Sequence, residues 1–242
     1  NNIKYRDEKS DKYSADNRIA SDWAKYITVF EQGYMLGNPV EYKNENAEIQ
    51  ALIDNFSKQN NEQEHNVAIK TDLAIYGRAY ELLNTFQDVD GSVWVKLYRM
   101  NPEQTFVIYD DSYEQRSLMA VNYYSISYGN GHKRDFVKVY TDDAIYEYVD
   151  DNQEADTLRL KETSEHFFNG VPVNEFSNNT DRTGAFEAVL DSIDAYDLSQ
   201  SELANFQQDS NEALLVISGN PFTGVDDKDF LEDGRINPNG RL

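Results

Sequence analysis

YELLNTFQDVDGSVWVKLYRM, Tyr80–Met100, is where the chain changes character. YELLNTF and SVWVKLYRM alternate apolar and polar residues and are rich in aromatic and branched side chains, the pattern of half-buried strands. Between them QDVDG carries Asp90-Gly91, the pair that a tight hairpin turn favours because both central positions need positive φ. Strand, turn and strand therefore follow one another here. Before this stretch the periodicity is that of helices, and after it strands continue. A run of helices followed by a run of strands defines an α+β chain.

Working backward, three helices are expected at 16–36, 46–59 and 61–83. The first, NRIASDWAKYITVFEQGYML, is to be capped by Ser14 or Asp16. It puts Ile19, Trp23, Tyr26, Ile27, Phe30 and Tyr34 on one face, and Gly37-Asn38-Pro39 stops it. The second, NAEIQALIDNFSKQN, gathers Ile49, Leu52, Ile53 and Phe56. The third carries apolar residues nearly all round from Val67 to Leu83 and should be deeply buried. Its end overlaps the strand YELLNTF. Residues 1–14 read as a mobile polar arm, with no signal-peptide character.

Working forward, TFVIYDD, SLMAVNYYSISY, DFVKVYTD, AIYEYVD and DTLRLKE read as strands, with turns at Gly129-Asn130-Gly131 and Asp150-Asp151-Asn152. Short consecutive strands imply an antiparallel meander. NGVPVNEFSNN reads as a loop. It leads into AFEAVLDSIDAYDLSQSELANF, Ala185–Phe206, a helix to be capped by Asp181 or Thr183. Phe186, Val189, Leu190, Ile193, Tyr196, Leu203 and Phe206 form its apolar stripe. Its charged residues are Glu187, Asp191, Asp194, Asp197 and Glu202, with no Lys or Arg. Helices usually mix signs, since opposite charges four residues apart stabilise them. EALLVISG reads as a short strand, and the remainder to Leu242 is too rich in Gly, Pro and charge to fold unaided.

The 242 residues contain 22 Lys and Arg against 44 Asp and Glu, a net charge of −22. Such a surface repels phosphate and anionic lipid, so a protein that grips nucleic acid is disfavoured; one past which nucleic acid slides is compatible. Aromatics make up 13% of the chain, far above a disordered acidic tail. There is no cysteine, which removes disulfides, thiolate metal sites and a catalytic thiol. No apolar run reaches the ~20 residues that span a bilayer.

Catalytic patterns are missing. His65, His132 and His166 have no metal-ligand spacing, and structural or surface roles fit them. No nucleophile elbow, Walker loop or dinucleotide loop occurs. Asp88–Gly91 resembles the start of a calcium loop, but Phe86 and Leu97 stand where acids would be required, so it reads as a turn. Asp110-Asp111 and Asp142-Asp143 could be glycosidase carboxylates only if they faced each other across a cleft; solvated turns are the simpler reading. Lys70, Asp72, Arg78 and Glu81 on the third helix read as internal ion pairs. No cofactor and no metal are expected.

YMLGNPVEY, DLAIYGRAYELL, NPEQTFVIYDD, FFNGVPVNEFSNN and the acidic helix with its following strand occur in an order that resembles the portal proteins of tailed bacteriophages, of the kind found in siphophages of Gram-positive hosts. The resemblance runs from about Ile19 to Gly219. It implies a dodecameric ring at one capsid vertex, assembled in the bacterial cytoplasm. Double-stranded DNA enters and leaves through its axial tunnel without sequence-specific binding, and the portal itself hydrolyses nothing. It implies a wing at 1–180, a stem helix at 181–212 and a partial clip at 213–242. A second stem helix, tunnel loop and crown would be expected after Leu242. Glu187, Asp191, Asp194 and Glu202 become candidate tunnel-lining residues, and Asp226, Asp227, Lys228 and Asp229 candidate clip contacts. The implied partners are the terminase large subunit, a head-completion or adaptor protein, and the major capsid or scaffolding protein; no membrane is involved. Two other readings stay open at this point. An acidic, β-rich virion protein without a channel would differ in forming no closed ring. A carbohydrate-active enzyme would turn over glycans and lose that activity on carboxylate substitution.

Overall fold

The structure is a computed structural model that describes residues 14–129, 132–150 and 158–213. The expected amino-terminal arm, the strand EALLVISG beyond its first two residues, and the candidate clip residues Asp226, Asp227, Lys228 and Asp229 lie outside the described residues. So do Asn130, Gly131, Asp151 and Asn152 of the two expected turns. The chain divides into two units, one of Asn1–Ala20 with Tyr196–Leu242 and one of Ser21–Ala195. The fold is α+β, with helices α1 (Trp23–Leu36), α2 (Ala47–Asn60), α3 (Glu62–Tyr76) and α4 (Leu190–Glu212).

The unit Ser21–Ala195 holds both sheets. β1 (Arg78–Gln87) and β2 (Val93–Met100) form the expected hairpin, with Tyr80 opposite Met100 and Gln87 opposite Val93. Gly91 has φ +86° and donates its N–H to the Asp88 carbonyl at 3.0 Å. The Asp90 carboxylate accepts the Ser92 N–H at 2.9 Å and hydroxyl at 2.6 Å, and these bonds hold its pKa below the usual carboxylate range. The calcium-loop resemblance thus resolves as a turn. β3 (Thr105–Tyr109), β4 (Ser117–Tyr128), β5 (His132–Tyr140), β6 (Ala144–Val149) and β7 (Arg159–Glu165) pair in strict chain order, as a meander must. A core cluster of Tyr80, Met100, Ala120, Tyr140 and Val173 draws on both sheets.

Four expectations are corrected. The third helix does not run to Leu83: it stops at Tyr76, and Arg78 and Glu81 belong to β1. Gly77 ends it, with φ +73° and its N–H bonded to the Leu73 carbonyl at 3.0 Å. A left-handed residue there closes the helix, and glycine adopts that conformation without penalty. The first helix begins at Trp23, not at 16. Asp16 does not cap it; its carboxylate pairs with Arg18 at 2.8 Å. NGVPVNEFSNN contains a strand, β8 (Val173–Ser177), which pairs with β1 and makes the sheet order β2-β1-β8. The acidic helix begins at Leu190 after a 3-10 turn at Glu187–Val189 and extends to Glu212, and neither Asp181 nor Thr183 caps it. The Thr183 N–H bonds the Asn179 side chain at 2.9 Å instead.

The end of α3 is also where a later segment docks. The Ala185 N–H bonds the Ala74 carbonyl at 2.8 Å, and the Asn178 N–H bonds the Gly77 carbonyl at 2.9 Å. A Cβ on Gly77 would lie 2.1 Å from the Arg182 carbonyl oxygen. Gly77→Ala therefore meets a left-handed backbone cost of about 1–2 kcal/mol and a clash with main chain that cannot rotate away. The expected result is a lower unfolding midpoint in urea, and an unchanged midpoint would show that this seam yields freely.

Polar contacts place the helices. Asn46 caps α2 by accepting the Glu48 N–H at 2.9 Å. At the other end of α2, Asn60 bonds the Val95 carbonyl at 3.1 Å and the Leu97 N–H at 2.9 Å, so its amide occupies the open edge of β2. Two of the four buried residues of α3 are charged, Lys70 and Asp72. Lys70 pairs with Glu31 of α1 at 2.6 Å and donates to Asn178 at 3.1 Å. The wholly buried Asp72 carboxylate takes both arms of the Arg99 guanidinium at 2.5 Å, which raises the arginine's pKa. The internal ion pairs expected for Lys70 and Asp72 exist, with partners on other elements.

Candidate functional site

α4 contains Asp191, Asp194, Asp197, Glu202, Asp209 and Glu212 and no Lys or Arg. The structure separates the four residues expected to act together. Glu187 precedes the helix and spends its carboxylate on the Gly184 N–H at 2.9 Å, fixing the 3-10 turn. Asp191 and Glu202 are exposed, and Asp194 is half-buried. At 100° and 1.5 Å per residue, Asp191 and Glu202 lie within about 20° of one line, some 16 Å apart along the axis. Asp194 lies about 60–80° off that line, on the side of Ser201 and Asn205.

The buried face of α4 is polar. Asp197, Ser201 and Asn205 are buried, whereas Val189, Leu190, Tyr196, Leu203 and Phe206 of the expected apolar stripe are exposed. The expectation that apolar spacing marks the packed side of this helix is therefore overturned. The physical reason is the occupant. The non-helical residues Ala15–Ile19 lie along α4 and present backbone N–H groups, which need acceptors when buried. The Ile19 N–H donates to Ser201 Oγ at 3.0 Å, the Asn17 N–H to Asn205 Oδ1 at 2.6 Å, and the Ala15 N–H to Asp209 Oδ1 at 3.3 Å. The Asn17 side chain adds bonds to Asn205 and Gln208, each at 3.0 Å. Asp197, Ser201, Asn205 and Asp209 fall four residues apart, a signal present in the sequence but visible only to a search for polar periodicity.

Several other titratable residues make contacts within the fold. His65 Nε2 lies 2.7 Å from Glu81 Oε2, and His166 Nε2 lies 3.0 Å from the Thr141 carbonyl. Asp110 accepts the Ser112 hydroxyl at 2.7 Å and the Arg116 N–H at 2.9 Å, and Asp143 accepts the Thr141 hydroxyl at 2.6 Å, so one member of each acid pair staples a turn. Glu147 sits between Lys138 and Lys161; the bond from Lys161, then that from Lys138, outweighs desolvation and holds its pKa low. Burial, then the nearby Glu175, pushes the Tyr109 hydroxyl up to about 12. Among the described residues no group of His, Asp and Glu is arranged to hold a metal ion, and no helix is long and apolar enough to cross a membrane.

An α+β chain with a five-stranded antiparallel meander and a one-signed helix is the arrangement the resemblance implied. Over residues 1–241 the sequence matches the model of a family of tailed-phage proteins described as "Phage portal protein, SPP1 Gp6-like". The chain belongs to this family. Its class is thereby that of phage portal proteins, structural components of the virion. A comparison with curated proteins gave no match.

Proposed function

We propose that the chain is a subunit of a homo-oligomeric portal ring at one capsid vertex, through which double-stranded DNA is packaged and ejected, and that it acts as a structural conduit rather than an enzyme. Family membership across residues 1–241 carries this reading. On it, residues 1–180 form the wing, 181–212 the first stem helix and 213–242 part of the clip. α4 flanks the tunnel, with Asp191 and Glu202 turned to DNA and Asp194 beside them. DNA carries one negative charge per ~1.7 Å of axis, and a basic lining would hold it by counterion release. An acidic lining offers no such trap. Asp226, Asp227, Lys228 and Asp229 contact the terminase large subunit and later the head-completion protein, while the wing meets capsid or scaffolding protein. A dodecamer is the expected copy number.

A ring crowds chains of charge −22 together. Repulsion between exposed charges is screened over about 10 Å at 0.1 M salt and over about 30 Å at 0.01 M. Light scattering across a salt series should therefore show assembly favoured by salt or divalent cations, with negative-stain images of rings at the favourable end. A monodisperse monomer at every salt concentration would remove the reading.

A further inference from the structure

α1 meets α3 through polar groups: Glu31 pairs with Lys70, and Gln32 donates to the Val67 carbonyl at 3.4 Å and bonds Thr71. Of its apolar residues Ala24, Ile27 and Leu36 are half-buried, while the aromatic ones lie outside. Thr28 is buried. Trp23, Tyr26, Phe30 and Tyr34 form a ridge on the outer side, with Tyr34 88% and Phe30 64% exposed. The ring of Tyr26 meets Trp23 edge-on at 5.8 Å and stacks on Phe30 at 6.5 Å, so the ridge is preformed. Contiguous apolar patches of several hundred Å² are at the upper end of what monomeric soluble proteins expose, and patches of this size often mark interaction sites.

The same unit carries a matching hollow. Tyr42, Leu52, Ile53 and Phe56, with Ser57 and Glu62 at the rim, line an apolar pocket of about 440 Å³. α3 packs against α1 and also against α2, so ridge and pocket belong to two different helices that flank it. We propose that the α1 ridge of one copy seats in the α2 pocket of the next copy. The proposal rests on the ring reading and names the surfaces that close it. Three observations favour a second copy of this chain as occupant. A ridge that fits a different patch of an identical molecule makes a heterologous contact, the kind that propagates around a ring. At about 150–250 Å² per aromatic side chain, the exposed parts of Trp23, Tyr26, Phe30 and Tyr34 amount to on the order of 600 Å². Val29, 54% exposed on the flank of the ridge, adds to this, against the ~800 Å² per partner of a standard interface. Finally, the only charged residues of α1 are Lys25 and the already paired Glu31, so this face lets two strongly acidic chains approach with little repulsion.

The chain has no cysteine, which gives a clean background for the test. Tyr34→Cys and Leu52→Cys change exposed side chains, and circular dichroism would verify the fold of each. The two variants are mixed under assembly conditions and treated with a short bis-maleimide. A cross-linked dimer in the mixture that is absent from either variant alone is the expected result, and adding Phe30→Glu to the Tyr34→Cys chain should abolish it. Dimers of Tyr34→Cys alone would mean ridge-to-ridge pairing and overturn the proposal. Rings in negative stain without any cross-link would overturn it too, leaving the ring reading intact and pointing to another protein or another segment over the ridge. If neither rings nor cross-links form, both readings fail.

Discussion

Rings carrying Asp191→Lys and Glu202→Lys package DNA more slowly than parental rings and stall at shorter lengths, with the defect largest at low salt. Both side chains are exposed and lie near one line of α4. Exchanging Asp191 should change stability by no more than ~0.5 kcal/mol, the usual range for exposed positions. Glu202 also accepts the Asn205 side-chain amide at 3.4 Å, so circular dichroism and ring formation of the double variant are verified before its packaging rate is compared. What changes is the lining. Each lysine that reaches a phosphate adds about 0.9 to the slope of log affinity against log salt, and a ring repeats the pair in every subunit. Asp191→Asn with Glu202→Gln removes the carboxylates without adding cations and should package close to the parental rate. Asp194 is the instructive control. It is half-buried and turned off the line, so Asp194→Lys should disturb folding more and DNA movement less. Parental rate and length in the double lysine variant, at low and at physiological salt, would show that the charge of α4 is only a solvated surface.

The second large effect concerns stability. Arg99→Met leaves the Asp72 carboxylate buried and uncompensated, and the expected loss is about 3 kcal/mol. That is the low end for a broken buried pair, because the guanidinium side chain is 47% exposed while the carboxylate is not exposed at all. Urea denaturation measures it. Asp72→Leu combined with Arg99→Met removes both charges at once and should recover most of the loss, since an apolar pair of similar volume needs no compensation. If Arg99→Met alone kept its midpoint, the pair would contribute nothing and α3 would be held to β2 by packing alone.

The sheets were legible because their signals are local. SLMAVNYYSISY coincides with β4 from first to last residue, and the first hairpin closes at Gly91, although of the pair Asp90-Gly91 only the glycine takes positive φ. The end of α3 was also written in the sequence, at Gly77, but apolar residues on both sides of the glycine concealed the change from a helical to a strand period. β8 escaped notice because VNEFS is short and polar, and its place is set by the distant β1, not by its own pattern. The acidic helix was legible as a helix and misleading as a surface. Its four exposed or half-exposed acids form one group in the sequence, yet Glu187 staples a turn and Asp194 lies toward the buried side beside Ser201 and Asn205. Apolar spacing assigns a buried face only when the occupant is apolar. On α4 the occupant is backbone, and on α1 the aromatic side stays largely exposed.

The contact between Ala15–Ile19 and α4 works as a vernier. One scale is the helix, which sets out an acceptor every four residues, about 6.0 Å apart. The other is the extended chain, which sets out a donor every two residues, about 6.6 Å apart. Two scales that differ by a tenth coincide over a short span and then drift. The middle rung, Asn17 on Asn205, is the shortest at 2.6 Å, and the outer rungs lengthen to 3.0 and 3.3 Å. Such a ruler reads the main chain, so it is indifferent to the exposed side chain of Ile19, though the buried Ala15 leaves no room for a larger one, and it is intolerant of arithmetic. One residue inserted between Asn17 and Ile19 would put the Ile19 donor out of register with the Ala15 and Asn17 donors, so the spacing of this segment is what α4 measures.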